Sequence, residues 1–430
     1  MRRVVITGLG TINPMAKNTE GTWKGLTERQ SGIKKITSCK IPQGFPPFAG
    51  EIEGEISGTI DGFVPAGKQA KRWGRSACLF LKAAEEALLG ANLVDTEGEP
   101  VTDSQDISRI GCFLGNSMGD INTLFDSHKT LLEKREHEIN PFLIPTALAN
   151  IQGWRLAAKK FRFKGPTKII TTACASSLVA VADAFDYIRN GKADIMITGG
   201  FEAAIHPLTV VGFGQLKALS NTGSHPFCKQ RNGFVPAEGA TVIILEELEH
   251  ARQRNVSAYA EITGCGYATD INGILGSSRE GEGLITTMGL ALRDASLHPN
   301  DIRHICTHAT GTDIGDLSEA IAIGQVFGDN NHIRITATKS NLGHQMGAAG
   351  AFDVMVASLV QYYKIIPPFP FAESNTCPEL EQYLPREQDS RIKLNLPDKM
   401  SPVNGYSLIN ANAFGGNCCS IIIGPYPETK

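Results

Sequence analysis

Short apolar runs that end in glycine or small polar residues alternate along the chain with longer segments in which apolar residues recur every three or four positions. The first pattern is typical of buried strands, and the second is typical of amphipathic helices. Strands that alternate with helices predict parallel or mixed sheets that are covered by helices. We therefore expect an α/β architecture.

The same order of elements occurs twice, which indicates an internal duplication. The strand and glycine turn in RRVVITGLGTIN match SAYAEITGCGYATD from Ser257, and the helical SACLFLKAAEEALLGANL matches LITTMGLALRDASLHPNDI. The pattern predicts two similar halves, residues 1–255 and 256–430, that pack as one unit. The first half carries extra residues between Ser117 and Thr167, and such insertions usually form a cap or a dimer surface.

Composition narrows the class of protein. The chain has 430 residues, of which 42% are hydrophobic, and a net charge of −3, so it can bury a large core and has no basic excess for nucleic acid. It has neither an apolar run long enough to span a membrane nor a signal peptide at MRRVVITGLG, so we expect a cytoplasmic protein. The ten scattered cysteines contain no C-x-x-C pair, which favours reduced thiols over disulfides or zinc.

One cysteine stands at the junction of a strand and a helix, in TTACASSLVAV from Thr171 to Val181. Such a turn lies at the start of the helix, whose free N–H groups and dipole favour negative charge. We therefore expect Cys174 to be a nucleophile with a stabilised thiolate and a backbone N–H that can bind an oxyanion. The alternative is a small buried cysteine of the core.

The equivalent turns of the second half hold His308 in THATGTDIGD and Lys339 with His344 in KSNLGHQMGAAG. Because of the duplication, we expect these side chains at the same edge of the sheets as Cys174. Two neutral imidazoles there can donate N–H groups to a thioester or malonyl oxygen as negative charge develops on it. The pattern therefore favours enolate and oxyanion chemistry.

A glycine turn near the end of the chain is expected at the same place. In NANAFGGNCCS, Gly415 and Gly416 give the backbone the freedom to bring an N–H close to the nucleophile. The side chain of Phe414 would then cover the site.

These motifs carry a resemblance that extends almost from end to end. The chain resembles the elongating β-ketoacyl-acyl-carrier-protein synthases of the thiolase superfamily in seven ordered stretches: RRVVITGLGTINPMA, TTACASS, GKADIMITGGFEA, NGFVPAEGA, THATGTDIGD, KSNLGHQMGAAGAFD and AFGGN. The resemblance implies a thiolase fold, in which two duplicated α/β halves form α-β-α-β-α layers, usually in a dimer. It also implies a decarboxylative Claisen condensation that needs no metal or redox cofactor, because the substrates are carried on the phosphopantetheine of an acyl carrier protein.

The resemblance further implies a role for each candidate residue. Cys174 would be acylated, while His308 and His344 would bind the malonyl thioester and drive its decarboxylation. Lys339 would support His344 and would have Asp353 as its partner, where the family usually has a glutamate. The remaining roles are an oxyanion hole from the N–H groups of Cys174 and Phe414, support from Gly415 and Gly416, and phosphopantetheine contacts from Thr310 and Thr312.

A carrier protein is typically acidic, and the segment KQAKRWGR offers it a basic surface. Four basic residues follow helical spacing closely enough to form one face. The alternative is an ordinary solvated helix face. The residues are Lys68, Lys71, Arg72 and Arg75.

The positions around the intact catalytic set depart from the family pattern. Ala309 follows the first histidine where glycine is usual, and TDINGILGSS lacks a histidine and a threonine. Two acids are replaced by Cys228 and Asn232, and the phenylalanine-glycine pair before the gate by Asn412 and Ala413. Such walls would suit a polyketide, polyene or aryl-primed chain, while ordinary fatty acid elongation stays open.

Two other classes of protein compete with this interpretation. A thiolase would use free coenzyme A and a second cysteine, for which Cys418 and Cys419 are candidates, but AFGGN matches the synthase pattern. A non-catalytic partner subunit similar to a chain-length factor would not be expected to keep the cysteine and both histidines. An active enzyme can pair either with itself or with such a subunit.

Overall fold

The computed structural model describes residues 1–101, 107–147, 156, 163–272, 274, 278–328, 332–370, 380 and 399–426. The strands are β1 Val4–Ile12, β2 Ile33–Lys35, β3 Phe48–Gly50, β4 Ile110–Gly115, β5 Thr167–Ile170, β6 Ile195–Glu202, β7 Gly239–Glu247, β8 Ala260–Thr269, β9 Ile302–Cys306, β10 Arg334–Thr336, β11 Ile365–Ile366, β12 Ser401–Pro402, β13 Tyr406–Asn412 and β14 Asn417–Gly424.

The described helices vary from one turn to four. They are α1 Thr19–Thr27, α2 Gly67–Trp73, α3 Arg75–Gly90, α4 Ile121–Leu132, α5 Leu143–Ala147, α6 Ser176–Arg189, α7 Pro207–Gln215, α8 Leu248–Gln253, α9 Glu282–Ala295, α10 Asp313–Phe327, α11 Lys339–Leu342 and α12 Ala349–Tyr363. Short 3₁₀ turns occur at Ile107–Arg109, Glu136–Glu138, Ala173–Ala175, Pro299–Asp301, Met346–Ala348 and Phe414–Gly416.

The main sheet is symmetric about its centre. Its strand order is β10-β9-β13-β14-β8-β1-β7-β6-β4-β5, with antiparallel pairing of β1 and β8 at the middle. On either side of this pair, β7 and β14 hold matching places, as do β6 and β13, β4 and β9, and β5 and β10. The structure therefore confirms the duplicated α/β arrangement that the sequence predicts, in a mixed sheet.

Helices α6 and α12 form the middle layer of the fold. Helix α6 packs against β4 and β6 and also contacts β14, while α12 packs against β13 and also contacts β6 and β7. On the outer faces, α3 covers β1 and β7, and α9 covers β8 and β14, with α10 packed against α9. The two middle helices contact strands of both halves of the sheet, so the halves of the sheet form the two β layers on either side of them. The result is the five-layer α-β-α-β-α arrangement of the thiolase fold.

Successive apolar residues of a strand pack into two different hydrophobic cores. Along β14, Ile421 and Ile423 belong to the core around the middle helices, whereas Ile422 belongs to the outer core of the second half. Successive strand side chains point to opposite faces of a sheet. Because helices cover both faces, the strands appear in the sequence as continuous apolar runs.

Two expectations about organisation stay predictions. Helices α4 and α5 lie in the extra segment between Ser117 and Thr167, but part of that segment is outside the described residues, and its role as a cap or dimer surface stays a prediction. The proposed boundary between the halves, after residue 255, falls between α8 and β8. Within the described residues, no helix combines the length and the apolar character needed to cross a membrane.

The two middle helices approach each other closely at their first turns. A Cβ atom at Gly350 would lie 2.6 Å from Cβ and 2.8 Å from the backbone nitrogen of Leu178. Beside this contact, the hydroxyl of Ser177 accepts a hydrogen bond of 2.9 Å from the backbone N–H of Ala351. The start of α6 in the first half therefore lies directly against the start of α12 in the second half.

We expect Gly350→Ala to lower the free energy of unfolding by about 1–3 kcal/mol, because the added methyl group forces Leu178 to move. Chemical denaturation measures this change. Gly90→Ala is the matched control, because no atom beyond its chain neighbours and its own helix backbone lies within 4 Å of its Cβ position at the end of α3. An equal effect of the two substitutions would contradict the close approach.

Candidate active site

Cys174 lies in the 3₁₀ turn Ala173–Ala175, between β5 and α6. Ala173 has a φ of 49°, a conformation that costs a non-glycine residue roughly 1–2 kcal/mol. The hydroxyl of Ser176 holds the turn by donating to the carbonyl of Ala173 at 2.6 Å and accepting from the N–H of Thr172 at 2.9 Å. The turn leaves the half-buried Cys174 facing a pocket.

The two histidines reach the same place from separate turns of the second half. His308 follows β9, and His344 follows α11. Nε2 of His344 lies 3.0 Å from Sγ of Cys174, and the centres of the two imidazole rings are 5.4 Å apart with an edge-to-face angle of 88°. Sγ and one ring nitrogen of each histidine all lie within 4.8 Å of one another. The structure thus brings the three predicted residues together.

Lys339 forms a buried ion pair beside the histidines. Its Nζ lies 3.1 Å from Oδ2 of Asp353, and both side chains are almost completely buried. Oδ1 of Asp353 accepts hydrogen bonds from the hydroxyl of Thr338 and, at 3.6 Å, from the thiol of Cys306. The aspartate at position 353 is therefore surrounded by donors and holds the ammonium group in place.

Both imidazoles are neutral at pH 7. Burial lowers the pKa of His308 and the pKa of His344 well below the ordinary histidine value, and the ammonium group of Lys339 lowers both further. Neutral imidazoles keep one N–H each to donate, as predicted from the sequence.

The site opens into a pocket of about 780 Å³. Both halves contribute to its mostly apolar walls, which include Met118, Phe213, Phe234, Met346 and Phe414. Thr310 and Thr312 also line it, with their hydroxyl oxygens 3.1 Å apart. A pocket of this size and character can enclose an acyl chain and its thioester.

The predicted glycine turn packs against the turn that carries Cys174. Gly415 and Gly416 have φ values of 80° and 74°, and a Cβ atom at Gly416 would lie only 2.0 Å from the carbonyl oxygen of Asp270. The N–H of Gly415 donates to the carbonyl of Ile274 at 2.9 Å. Phe414 is half-buried and covers one side of the pocket.

The basic segment forms a smaller surface than expected. Lys68, Lys71 and Arg72 are exposed on α2. Gly74, with a φ of 82°, ends this helix, and Arg75 begins α3 with its Nε and Nη2 each 2.6 Å from a carboxylate oxygen of Glu238. The expectation that Arg75 shares the basic face is wrong, because the helix breaks before it and Glu238 binds it.

The departures from the family pattern cluster around the pocket. Ala309 is buried with a φ of 33°, and Cys228 is buried. Asn232, Asn412 and Ala413 line the pocket, and Oδ1 of Asn232 accepts a hydrogen bond from a serine hydroxyl. In TDINGILGSS, residues 273 and 275–277 lie outside the described residues.

The second cysteine that a thiolase would need does not reach this site. Cys418 and Cys419 are buried in β14, and neither lines the pocket. Burial raises the pKa of Cys418 to about 12 and the pKa of Cys419 well above the ordinary value. Among the described cysteines, Cys174 is the one that lines the pocket.

The family model described as beta-ketoacyl synthase, N-terminal domain, matches residues 1–251, and the one described as beta-ketoacyl synthase, C-terminal domain, matches residues 259–372. The chain belongs to the β-ketoacyl synthase family. It is a ketosynthase, and therefore an acyltransferase.

Named relatives and solved structures agree with this membership. The synthase is 32% identical to 3-oxoacyl-[acyl-carrier-protein] synthase 2 of Staphylococcus aureus strain COL, over 97% of this chain and 96% of that protein. It is 34% identical to the mitochondrial 3-oxoacyl-[acyl-carrier-protein] synthase of Arabidopsis thaliana, over 85% of this chain and 83% of that protein. The solved ishigamide ketosynthase/chain length factor is 28% identical, with a TM-score of 0.86 over 99% of this chain and 100% of that chain.

Two buried carboxylates of the synthase lie beside the histidine turn and are not among the residues predicted from the sequence. Glu319 accepts hydrogen bonds from the N–H groups of His308 at 2.9 Å and Ala309 at 2.8 Å, and Asp316 accepts from that of Gly311 at 2.9 Å. Burial raises the pKa of Glu319 to about 7 and the pKa of Asp316 to about 6. A signal exists in GTDIGDLSEA, where two acids three positions apart share one face of the helix after the histidine turn.

The resting state of the nucleophile differs from the expected thiolate. Burial raises the pKa of Cys174 to about 12, the Lys339 ammonium offsets only part of this increase, and the Glu202 carboxylate adds to it. Desolvation at this turn therefore outweighs the favourable start of α6. We therefore expect Cys174 to be a thiol in the resting synthase.

We expect the rate of Cys174 alkylation by iodoacetamide to rise about tenfold per pH unit from pH 6 to 9, because only the thiolate reacts and its pKa lies far above this range. Mass spectrometry of the Cys174 peptide measures the rate. Lys339→Met should slow it at each pH, since the ammonium lowers the pKa. Free cysteine, which levels off near a pKa of about 8.5, is the control. A plateau below pH 8 for Cys174 would support the thiolate instead.

Proposed function

We propose that the synthase transfers an acyl group from acyl carrier protein to Cys174 and condenses it with malonyl-acyl-carrier protein. The observation that carries this proposal is the contact of 3.0 Å between Nε2 of His344 and Sγ of Cys174, with the second imidazole, of His308, beside it. A nucleophilic thiol next to two neutral N–H donors supports acyl transfer followed by enolate formation.

In the first step, the sulfur of Cys174 attacks the carbonyl carbon of the acyl thioester. The bond from that carbon to the phosphopantetheine sulfur breaks, and the acyl group becomes attached to Cys174. The proton of the thiol passes to the leaving sulfur, and Nε2 of His344 lies close enough to Sγ to carry it. Charges therefore balance without a change in oxidation state.

In the second step, the malonyl thioester loses carbon dioxide as its C–C bond to the carboxylate breaks. The electron pair forms an enolate, whose oxygen accepts hydrogen bonds from His308 and His344. The enolate carbon then attacks the acyl-cysteine carbonyl, and the sulfur of Cys174 leaves as a thiolate that takes up one proton from water, which restores the resting thiol. Each bond in this sequence forms or breaks without a metal or redox group, so the one prosthetic group proposed is the carrier's phosphopantetheine.

The surrounding residues support these steps. Lys339, held by Asp353, favours negative charge near the histidines and keeps their imidazoles neutral. The N–H groups of Cys174 and Phe414 form the oxyanion hole, which the packing of their two turns and the freedom of the following glycines support. Thr310 and Thr312 line the pocket and contact the phosphopantetheine arm.

Acyl carrier protein is the proposed partner, as the names of the curated relatives indicate for those proteins. Lys68, Lys71 and Arg72 provide an exposed basic surface for it. A second partner would pair along β5, which ends the sheet and has an exposed first half. That partner is another copy of the chain or a subunit similar to a chain-length factor, as in the solved relative. A cytoplasmic location stays a prediction.

The pathway is fatty acid or type II polyketide and polyene biosynthesis. Asn232 and Asn412 lie in the pocket lining, and walls that depart from the family pattern in this way suit a specialised chain, while elongation of a saturated chain stays open. The test is intact-protein mass spectrometry with saturated, polyunsaturated and aryl acyl-carrier proteins, followed by malonyl-carrier protein. Extension of saturated chains by this chain alone indicates fatty acid synthesis. Loading of only unsaturated or aromatic chains, or dependence on a second subunit, indicates a polyketide ketosynthase.

We expect Cys174→Gln to abolish condensation and acyl loading but to retain malonyl decarboxylation, because both imidazoles remain. His308→Ala and His344→Ala should each remove both activities, with rate losses of roughly 10²-fold or more. Mass spectrometry of the loaded protein and release of carbon dioxide are the measurements. Cys418→Ala, which changes a buried cysteine outside the pocket, is the control. Acyl loading that persists without Cys174 would refute the nucleophile.

We expect the double reversal Lys71→Glu and Arg72→Glu to raise the KM for acyl-carrier protein by roughly tenfold at low salt, because the carrier is acidic. Turnover of a small thioester mimic should not change. Lys192→Glu is the matched control, since this exposed lysine precedes β6, at the sheet edge opposite the site. Equal loss on both substrates would contradict docking on α2.

A further inference from the structure

Glu202 is a completely buried carboxylate at the end of β6, close to the site. It accepts hydrogen bonds from the N–H of Ser117 at 3.0 Å, from the hydroxyl of the same serine, and from the N–H of Gly347 at 3.3 Å. Ser117 follows β4 in the first half, and Gly347 lies in the 3₁₀ turn Met346–Ala348 of the second half. One carboxylate therefore joins a segment of each half.

Both joined segments are walls of the pocket. Ser117, Met118 and Met346 line it. Met346 has a φ of 46°, so its turn needs an external partner to keep this conformation. A Cβ atom at Gly347 would lie 2.5 Å from the nitrogen of Ser117 and 2.9 Å from Oε2 of Glu202, which leaves the two segments in direct contact. The carboxylate of Glu202 therefore fixes the relative position of the two wall segments.

Glu202 does not exchange protons with the nucleophile in this arrangement. Among the described residues, its hydrogen-bond partners lie in the two wall segments and in the neighbouring Asn116, and none is Cys174 or a histidine. A buried carboxylate is costly unless several donors surround it, and these donors converge on Glu202 from both halves. Its effect on the reaction must pass through the walls that it holds.

We propose that Glu202 is a positioning residue that fixes Met118 and Met346 and thereby selects the acyl chains that reach Cys174. The proposal deepens the proposed function and rests on it for the acyl readout. Glu202→Gln keeps the size of the side chain but replaces one acceptor oxygen with an NH₂ donor. The wall donors all bind Oε2, and Nδ2 of Asn116 lies 3.5 Å from Oε1, so the new NH₂ group faces a donor in either orientation and one of these groups must move away from it. A neutral amide oxygen is also a weaker acceptor than a carboxylate for the wall donors.

Two measurements on the full-length protein test the proposal. The first is amide hydrogen exchange followed by mass spectrometry, in which Glu202→Gln should raise exchange in peptides containing residues 115–119 and 344–348. The second is the acylation rate of Cys174 with acetyl- to dodecanoyl-pantetheine thioesters. The ratio of long-chain to short-chain rates should change by about fivefold or more, because a wall shifted by a methylene's width alters discrimination by that order.

Glu86→Gln is the matched control. Glu86 also accepts hydrogen bonds from two backbone N–H groups, of Thr11 at 2.9 Å and Thr19 at 2.7 Å. It does not line the pocket. Its substitution should change neither the exchange of the two wall peptides nor the chain-length ratio.

The outcomes separate this inference from the proposed function. Unchanged exchange in both wall peptides of Glu202→Gln, or changed exchange with an unchanged chain-length ratio, would overturn the role of Glu202. A wild-type protein that no thioester acylates would overturn the proposed function, while the exchange data would still decide whether Glu202 holds the walls. If Glu202→Gln does not fold, Ser117→Ala removes one donor, and its effects should be smaller and in the same direction.

Discussion

The active site depends on the close approach of α6 and α12 across the middle layer. Cys174 precedes the first of these helices, and the His344 turn precedes the second, so the two residues meet only where the helices meet. The absence of a side chain at Gly350 allows Leu178 to lie against the backbone of α12. Neither half contains the whole site, so both halves are needed to place the thiol of Cys174 beside the two imidazoles.

Burial accounts for the electrostatic character of the site. It lowers the pKa values of His308 and His344, which favours neutral imidazoles, and raises the pKa of Cys174, which favours the thiol. The positive charge of Lys339 beside them is balanced by Asp353. In such a low-dielectric pocket, hydrogen bonds to a developing negative charge are stronger than in water. The arrangement suits an enolate, which needs donors and protection from water more than it needs a permanently charged site.

Strained turns held by buried acceptors recur around the pocket. Ala173, Phe227, Ala309 and Met346 all have positive φ values although none is glycine. Ser176 holds the first turn, Asp316 and Glu319 accept the N–H groups of Phe227 and Ala309, and Glu202 accepts the N–H that follows Met346. Backbone strain of this kind persists only where the surroundings impose it. The buried carboxylates thus belong to the site, although none touches the nucleophile in the described structure.

The sequence by itself determined the α/β class, the duplication and the turns that carry Cys174, His308, Lys339 and His344, because these follow from local periodicity and from motifs a few residues long. Only the tertiary structure decided the protonation of Cys174, the binding of Arg75 by Glu238 and the holding roles of Glu202 and Glu319. The pKa of a buried group depends on residues that are far apart in the chain, and a buried hydrogen bond can join two such residues. Periodicity indicates which residues lie at a turn, but the solvent exposure of those residues follows only from the packing of the layers.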